Sequence, residues 1–484
     1  MLKCITVLNK LIKKNYERVS ILKGQIHAFK VFDKNLVLDV GSGSLFEVDN
    51  TAYEILKLLE EGYSEEETIS KLRRIFNLEE IKETIEEIKQ LIEKGLIFVK
   101  ADIDSALEKI KGENRVKALC LNVAHDCNLR CRYCFASKGD YNLKRNIMPR
   151  IVGEKAVDFI LKNSGNLKNL EIDFFGGEPL LAYDTVKHVV DYARSQEKNY
   201  NKKINFTITT NAVLLNDEKI HYLHENMDNI VMSLDGRKEI NDRMRVRLND
   251  KGSYDEILPK IKKMVELRVR DKKSYYIRGT FTRYNLDFAE DVKHLSDLGF
   301  SEISIEPVLA KGEDYEIREE DLNIIYTQYE KIAEEYLLRK NTNKKFRFYH
   351  FNIDIYRGPC VYKRLIACGA GREYFAVTPE GDIYPCHQFV GLEEFKMGNV
   401  FDGKLDEKIM EKFKNTHVFA KKDCIECWAK FFCSGGCSAN NYKRRDDLNT
   451  PDKVFCNMQK KRIEYALYLN LQNASEMERK NILC

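Results

Sequence analysis

Three cysteines fall within eight residues at Cys127–Cys134, in the run C-N-L-R-C-R-Y-C, separated by three and then two residues. A four-iron four-sulfur cluster normally takes one thiolate on each of its irons. Three close thiols with no fourth nearby therefore suit a cluster with one iron left open to bind a small ligand and do chemistry on it. The alternatives are a zinc site or three unrelated buried thiols. Zinc asks for a fourth ligand at a matching spacing, and none follows.

The other cysteines fit the same chemistry. Of the fourteen, all but Cys4, Cys120 and Cys484 lie in tight or patterned spacings, and those three read as structural or incidental. The amino-terminal stretch Met1–Leu22 is mildly apolar and basic, without an apolar core followed by a small-residue cleavage site. No apolar run reaches the ~20 residues that span a bilayer. The chain reads as cytoplasmic, with metal ligation favoured over disulfides. Eighty basic residues nearly balance 76 acidic ones, a net charge of +4 that implies no nucleic-acid partner. A length of 484 residues leaves room for two to four domains.

Residues 1–24 fit no pattern. From 25 to about 98 the chain predicts three short strands, His27–Phe32, Leu36–Val40 and Leu45–Val48, with a hairpin turn at Asp33-Lys34-Asn35. Asp49 is placed to cap a helix through Leu59, Ser64 and Glu67 form a capping-box signature for a second, and Ile81, Ile85, Ile88, Leu91 and Ile92 mark a third, closed by Gly95. An unpaired edge of such a sheet accepts an extended peptide through main-chain hydrogen bonds. A DNA-binding winged helix and a dimerisation domain are the other readings. Residues 99–114 read as a linker.

From 115 to about 340, strand-like runs alternate with helical ones: Ala118–Val123, Leu170–Phe175, Asn205–Thr210, Asn229–Leu234, Ser274–Phe281 and Glu302–Pro307, with helices such as Ile151–Leu161 and Tyr254–Leu267 between them. That alternation implies a parallel sheet with right-handed crossovers, two units short of an eight-stranded barrel. Sites in such folds lie at the carboxyl ends of strands. The three-cysteine loop follows the first strand there, and Gly176-Gly177-Glu178-Pro179 follows the second.

In residues 341–484, Cys368 is followed by twelve residues, Gly381, four residues and Cys386; then come Cys424-x2-Cys427-x5-Cys433-x3-Cys437 and, eighteen residues on, Cys456. A zinc ribbon needs two CxxC pairs, and the second pair here has spacing three.

The loop with Tyr133 before its last cysteine, the GGEP run and the seven spaced cysteines resemble the radical S-adenosylmethionine (SAM) superfamily with a carboxyl-terminal SPASM domain. The resemblance implies an α/β fold: a partial (β/α)6 TIM-like barrel, an amino-terminal winged-helix leader-peptide module and a SPASM iron–sulfur domain. It implies three 4Fe–4S clusters. Cys127, Cys131 and Cys134 would hold the one that binds SAM; Cys424, Cys427, Cys433 and Cys456 an outer cluster; Cys368, Cys386 and Cys437 an inner one. Cys360 either completes the inner set or leaves an open iron for a substrate thiolate. Tyr133, Gly176, Gly177, Glu178, Asn211, Ser233, Asp235 and Glu306 are the implied SAM contacts, with Arg278 as first candidate for its carboxylate and Arg245 as the alternative. Four stretches, His27–Val40, Arg278–Thr282, Cys368–Gly371 and Ala376–Val390, resemble more narrowly the maturases of the six-cysteines-in-forty-five peptides. That implies a thioether-forming enzyme acting on a Cys-rich precursor peptide held through its leader, with a ferredoxin- or flavodoxin-type electron donor and no membrane partner. Sulfatase maturases of this class carry an aspartate base after the second SPASM cysteine. His387 stands there instead, either as a proton acceptor with an unperturbed pKa near ~6.5 or as a structural hydrogen-bonding group near the cluster. Carbon–carbon crosslinking, epimerisation and formylglycine formation are the alternative reactions.

Overall fold

The computed structural model describes residues 24–101, 103–112, 115–353 and 365–473. Three antiparallel strands open it: β1 (Ile26–Val31), β2 (Lys34–Asp39) and β3 (Leu45–Glu47). The first turn is tighter than predicted. Phe32 and Asp33 make it, with Phe32 at φ +51°, and Lys34 and Asn35 already pair with Val31 and Lys30. Helices Asn50–Glu61, Glu65–Leu72 and Leu78–Glu93 follow. Asp49 accepts the Ala52 amide, both arms of the Ser64/Glu67 box are made, and Gly95 turns the chain at φ +68°. The stretch expected as a linker contains a helix, Ile103–Lys111.

Six parallel strands form the centre: β4 (Ala118–Ala124), β5 (Asn169–Gly176), β6 (Lys203–Thr210), β7 (Asn229–Ser233), β8 (Ser274–Phe281) and β9 (Glu302–Pro307). The period of two splits each strand between two environments. Ile172 and Phe174, Phe206 and Ile208, Ile277, Ile303 and Ile305 are buried beneath the helices. The opposite face carries Asp173, Thr207, Arg278 and Glu306, which gives the partial barrel a polar interior.

The sheet does not stop where the cysteine-rich region begins. Beyond β9 lies β10 (Arg347–Phe348); beside β4 lies β11 (Tyr374–Val377), parallel to it, then β12 (Asp382–Tyr384) and β13 (Gly398–Asn399). The carboxyl-terminal third thus extends both edges of the barrel sheet. Short, isolated pairs of this kind leave little trace in a sequence.

The final helix, Lys453–Asn473, packs against helix Leu322–Arg339 and against the opening sheet. One face of that sheet (Ile26, Ala28, Val37) packs on its own helices; the other (Phe29, Val31, Leu36, Leu38) joins the large core. His27 is held in this seam. Its ring lies 3.8 Å from that of Trp428 at 5°, Nε2 meets Glu464 at 3.0 Å and Nδ1 meets Glu60 at 3.1 Å. Burial opposes charge on the ring, but the hydrogen bonds to Glu464 and Glu60 outweigh it and raise the pKa above 6.5.

A raised folded-state pKa gives stabilisation that is complete below the unfolded value and lost as pH rises through the folded one. Amides of β1 and β2 should therefore exchange more slowly, after correction for intrinsic rate, below pH 6.5 than well above it. His27→Gln should abolish that pH dependence and cost about 1.5–3 kcal/mol, the worth of hydrogen bonds to a charged group; hydrogen exchange across a pH series measures both.

Candidate active site

The loop after β4 is held mainly by backbone. Gly177 N donates to Ala124 O at 2.8 Å and Glu178 N to Asp126 O at 2.9 Å, which fixes the end of β5 to the start of the three-cysteine loop. The register between β4 and β5 shifts between Asn122 and Ala124, a bulge of the kind that re-aims a strand end. A Cβ on Gly177 would run into the Asp126 carbonyl, and one on Gly176, at φ +135°, into that of Ala124. On its far side the loop is paired with the segment after helix Lys238–Met244: Arg130 N donates to Val246 O at 2.7 Å and Arg132 N to Met244 O at 2.9 Å.

This frame gathers Cys127, Cys131 and Cys134. Burial pushes the Cys127 thiol up to about 12 and Cys131 up to about 11, and each thiol disfavours charge on the next. They ionise together only when a cation takes their protons' place. Amides already face the first sulfur, Leu129 N at 3.4 Å and Asn211 Nδ2 at 3.5 Å. Asn211 also donates to Asn128 Oδ1 at 2.8 Å.

Glu178 is buried and accepts from Leu180 N, Thr210 Oγ1 and Asn211 N at 3.0, 2.7 and 2.8 Å. Burial raises its pKa against those three bonds. The carboxylate thus ties the end of β5 to the end of β6 and leaves room for one further donor.

A second buried chain runs beside Cys131. Arg245 Nη1 donates to Tyr133 OH at 2.9 Å, Tyr133 OH donates to Asp235 at 2.7 Å, and Asp235 also accepts Thr280 N at 3.1 Å. Burial pushes Asp235 up to about 6 in spite of Arg245. Arg245 Nε is buried with no hydrogen-bond partner among the described residues, a donor that an anionic ligand group would satisfy. Arg278, the first candidate for that role, is instead paired with Glu306 at 2.7 Å, with half of its side chain exposed in the barrel interior. Ser233 lies beside Arg278 in the β7–β8 register. Tyr133, Gly176, Gly177, Glu178, Asn211, Asp235 and Arg245 surround the three thiols; Arg278 and Glu306 satisfy each other farther along the interior. A strand residue draws attention in a sequence more readily than Arg245, which closes a short helix.

The carboxyl-terminal cysteines form two groups. Cys424, Cys427, Cys433 and Cys456 line a cavity of about 220 Å³ with Lys430 and Gly435. Burial pushes Cys424 up to about 11 and Cys456 up to about 12, the neighbouring thiols adding to it. No three His, Cys, Asp or Glu side chains among the described residues are gathered closely enough for a single ion. Four thiols around a roomy cavity fit a cluster better than a lone zinc. Cys368, Cys386 and Cys437 make the second group: burial, then Cys437 and Cys368, drive Cys386 well above its ordinary value. Cys360 lies outside the described residues.

His387 packs against Phe175 and Phe135, with ring centroids at 4.9 and 5.5 Å, and meets Tyr374 OH at 3.0 Å. Burial, reinforced by Arg278 and Lys443, lowers its pKa to about 3. Cys120, read as structural or incidental, is buried in the core cluster that holds Cys386, with Sγ 3.8 Å from Asn122 Oδ1. The alternation along β4 was the signal that both face inward. His125 went unnoticed too: it is fully buried at the end of β4, with neither ring nitrogen hydrogen-bonded among the described residues.

The radical SAM superfamily profile matches residues 121–295, the SPASM iron–sulfur cluster-binding domain residues 368–428, and the PqqD family (coenzyme PQQ synthesis protein D) residues 35–97. Residues 121–295 thus form a radical SAM domain. It is 26% identical over 478 residues to the radical SAM cyclopropyl synthase TigE of Paramaledivibacter caminithermalis, covering 91% of this chain and 93% of that one. It is 27% identical over 370 residues to a cysteine-type anaerobic sulfatase-maturating enzyme of Clostridium perfringens, covering 70% and 93%. Among solved structures, anSMEcpe with bound AdoMet superposes with a TM-score of 0.61 at 21% identity, over 76% of this chain and 98% of that one. Streptococcus suis SuiB bound to precursor peptide SuiA gives 0.52 at 18%, over 89% and 98%. These superpositions show the shared fold. The radical SAM enzyme carries PqqD and SPASM domains, and 4Fe–4S and SAM chemistry comes with the family. No helix among the described residues is long and apolar enough to cross a membrane.

Gly177→Ala should displace the Cys127–Cys134 loop, because its new methyl meets backbone that cannot swing away. The expected result is loss of the iron carried by that loop, with iron in the carboxyl-terminal thiols retained; iron analysis together with EPR of the reduced protein checks it.

Proposed function

We propose that this enzyme forms intramolecular thioether crosslinks, from a cysteine sulfur to a carbon of another residue, in a ribosomally made Cys-rich precursor peptide. The observation that carries the reading is the presence of two three-thiol sets at one end of the barrel, Cys127/Cys131/Cys134 and Cys368/Cys386/Cys437, with Phe135 and His387 between them. Reduced iron–sulfur chemistry with SAM supplies a 5′-deoxyadenosyl radical that takes hydrogen from carbon. In this reading the first set, with Tyr133, Gly176, Gly177, Glu178, Asn211, Ser233 and Asp235 about it, holds SAM, and Arg245 meets its carboxylate. The second set would hold an inner cluster, which either is completed by Cys360 or keeps an open iron for the substrate sulfur. Cys424, Cys427, Cys433 and Cys456 would hold a third cluster, which would supply a route outward for the surplus electron. His387 acts as a neutral hydrogen-bonding group beside the second set. A low-potential donor of ferredoxin or flavodoxin type, in the cytoplasm, supplies the initiating electron.

The PqqD module supports a peptide substrate. The sheet order β1-β2-β3 makes β3 one of its two edges, where a leader strand would pair. The name of SuiB's bound precursor peptide supports the same partner class. A second reading, carbon–carbon bond formation in a peptide, is favoured by the relative named a cyclopropyl synthase, which matches nine-tenths of the chain.

Two experiments bear on this. Arg245→Gln should weaken SAM binding by about tenfold to a hundredfold, the worth of a hydrogen bond to a charged group, while Arg278→Gln should change it little; equilibrium binding of SAM to the anaerobically reconstituted enzyme measures both. Reconstituted enzyme, reductant, SAM and a Cys-rich precursor, followed by peptide mass spectrometry with thiol alkylation, tests the reaction. Thioether formation predicts a loss of ~2 Da per crosslink and one cysteine per crosslink lost to alkylation. The same mass loss with every cysteine still alkylatable would establish the carbon–carbon reading in its place.

A further inference from the structure

Helix Ser438–Arg445 begins directly after Cys437 and carries three consecutive cations. Two are matched: Arg444 pairs with Glu316 and with Asp452, the latter at 3.0 Å, and Arg445 reaches Asp452 at 3.3 Å. The third, Lys443, is different. Its Nζ lies over the ring of Phe135, 5.1 Å from the centroid, and Phe135 directly follows Cys134. Among the described residues it makes no ion pair, and the charge-bearing groups around it are thiols: Cys386 and Cys437 of one set, Cys134 of the other. Arg278, the other cation near His387, is already taken by Glu306.

A half-buried ammonium without a counter-charge among the described residues is costly unless negative charge arrives beside it. An iron–sulfur cluster with thiolate ligands is such a charge, and it gains a further negative charge on reduction. The compact ammonium of lysine is suited to act as a point charge beside it.

We propose that Lys443 is the electrostatic counter-charge of the inner iron–sulfur site, a positioning residue that favours the more negative state of the group held by Cys368, Cys386 and Cys437. The inference rests on the reading of those three thiols as a cluster set, but not on which reaction the peptide undergoes. Removing the cation should lower that cluster's midpoint potential. It should leave the outer site nearly unmoved, because other cations serve it: Lys421, whose buried Nζ donates to Gly435 O at 2.8 Å, with Lys430 and Lys460 lining the same cavity.

The test uses the full-length chain with Cys127, Cys131 and Cys134 changed to alanine, so that only the carboxyl-terminal thiols bind iron. EPR-monitored redox titration compares Lys443 with Lys443→Met and Lys443→Arg. Lys443→Met should shift the inner cluster's reduced-to-oxidised ratio at fixed potential about tenfold toward oxidised, ~59 mV for one electron, and Lys443→Arg should restore most of it. An inner potential that does not move in Lys443→Met at full iron content overturns the proposal, as does an equal shift of both clusters. If Lys443→Met loses iron, Lys443→Gln is titrated in its place under the same criteria. Iron near about four per chain in the parent would mean that the three thiols hold no cluster, which overturns the cluster reading and the role of Lys443 with it. Because no peptide enters this measurement, failure of the crosslinking assay would leave its result standing.

Discussion

Everything at the catalytic end depends on two peptide groups. The amides of Gly177 and Glu178 donate to carbonyls on either side of His125, and through them β5 sets where the three-thiol loop leaves β4. Those bonds form only because the backbones approach to a distance that no side chain permits. The positions of Cys127, Cys131 and Cys134 are thus set by strand register, and the register is set by the apolar face buried under the helices. Glu178 extends the same control to β6, and the Arg245–Tyr133–Asp235 chain extends it to β7 and β8. A site that must hold a reactive radical benefits from being over-determined in this way, since its groups then need little reorganisation during turnover.

The three sequence families are interleaved in space. The carboxyl-terminal third supplies strands at both edges of the barrel sheet, β11 to β13 of them largely within the SPASM match, and the final helix covers the second face of the opening sheet. Trp428, the neighbour of Cys427, stacks on His27 of β1, and Lys430 Nζ donates to Gly24 O at 3.0 Å. The opening sheet is therefore seated on the loop that follows Cys424 and Cys427.

How legible this was from sequence depended on how local the cause is. The six central strands, the helix caps and the cysteine spacings were all readable, because hydrophobic period, Ser/Asp/Glu capping and ligand spacing act over a few residues. The hairpin turn was misplaced by one or two positions, since Lys34 and Asn35 look like turn residues yet pair in the ladder. Arg278 drew attention by its place in a strand, but its charge is met by Glu306, from another strand. Arg245 gains its importance from Tyr133, 112 positions away in sequence, and no local pattern announces such a pairing. The low basicity of His387 has the same origin, arising from burial by Phe135 and Phe175 and from cations on other elements.

The seam between His27 and Glu464 joins residues 437 positions apart. During synthesis the apolar face formed by Phe29, Val31, Leu36 and Leu38 leaves the ribosome long before the helix that covers it exists. At 5–20 residues per second the wait is on the order of tens of seconds. This sheet is thus completed only once helix Lys453–Asn473 has been made. The nascent chain must keep an uncovered apolar sheet from aggregating for most of its translation, and a chain cut short before residue 453 would carry that face permanently open to water.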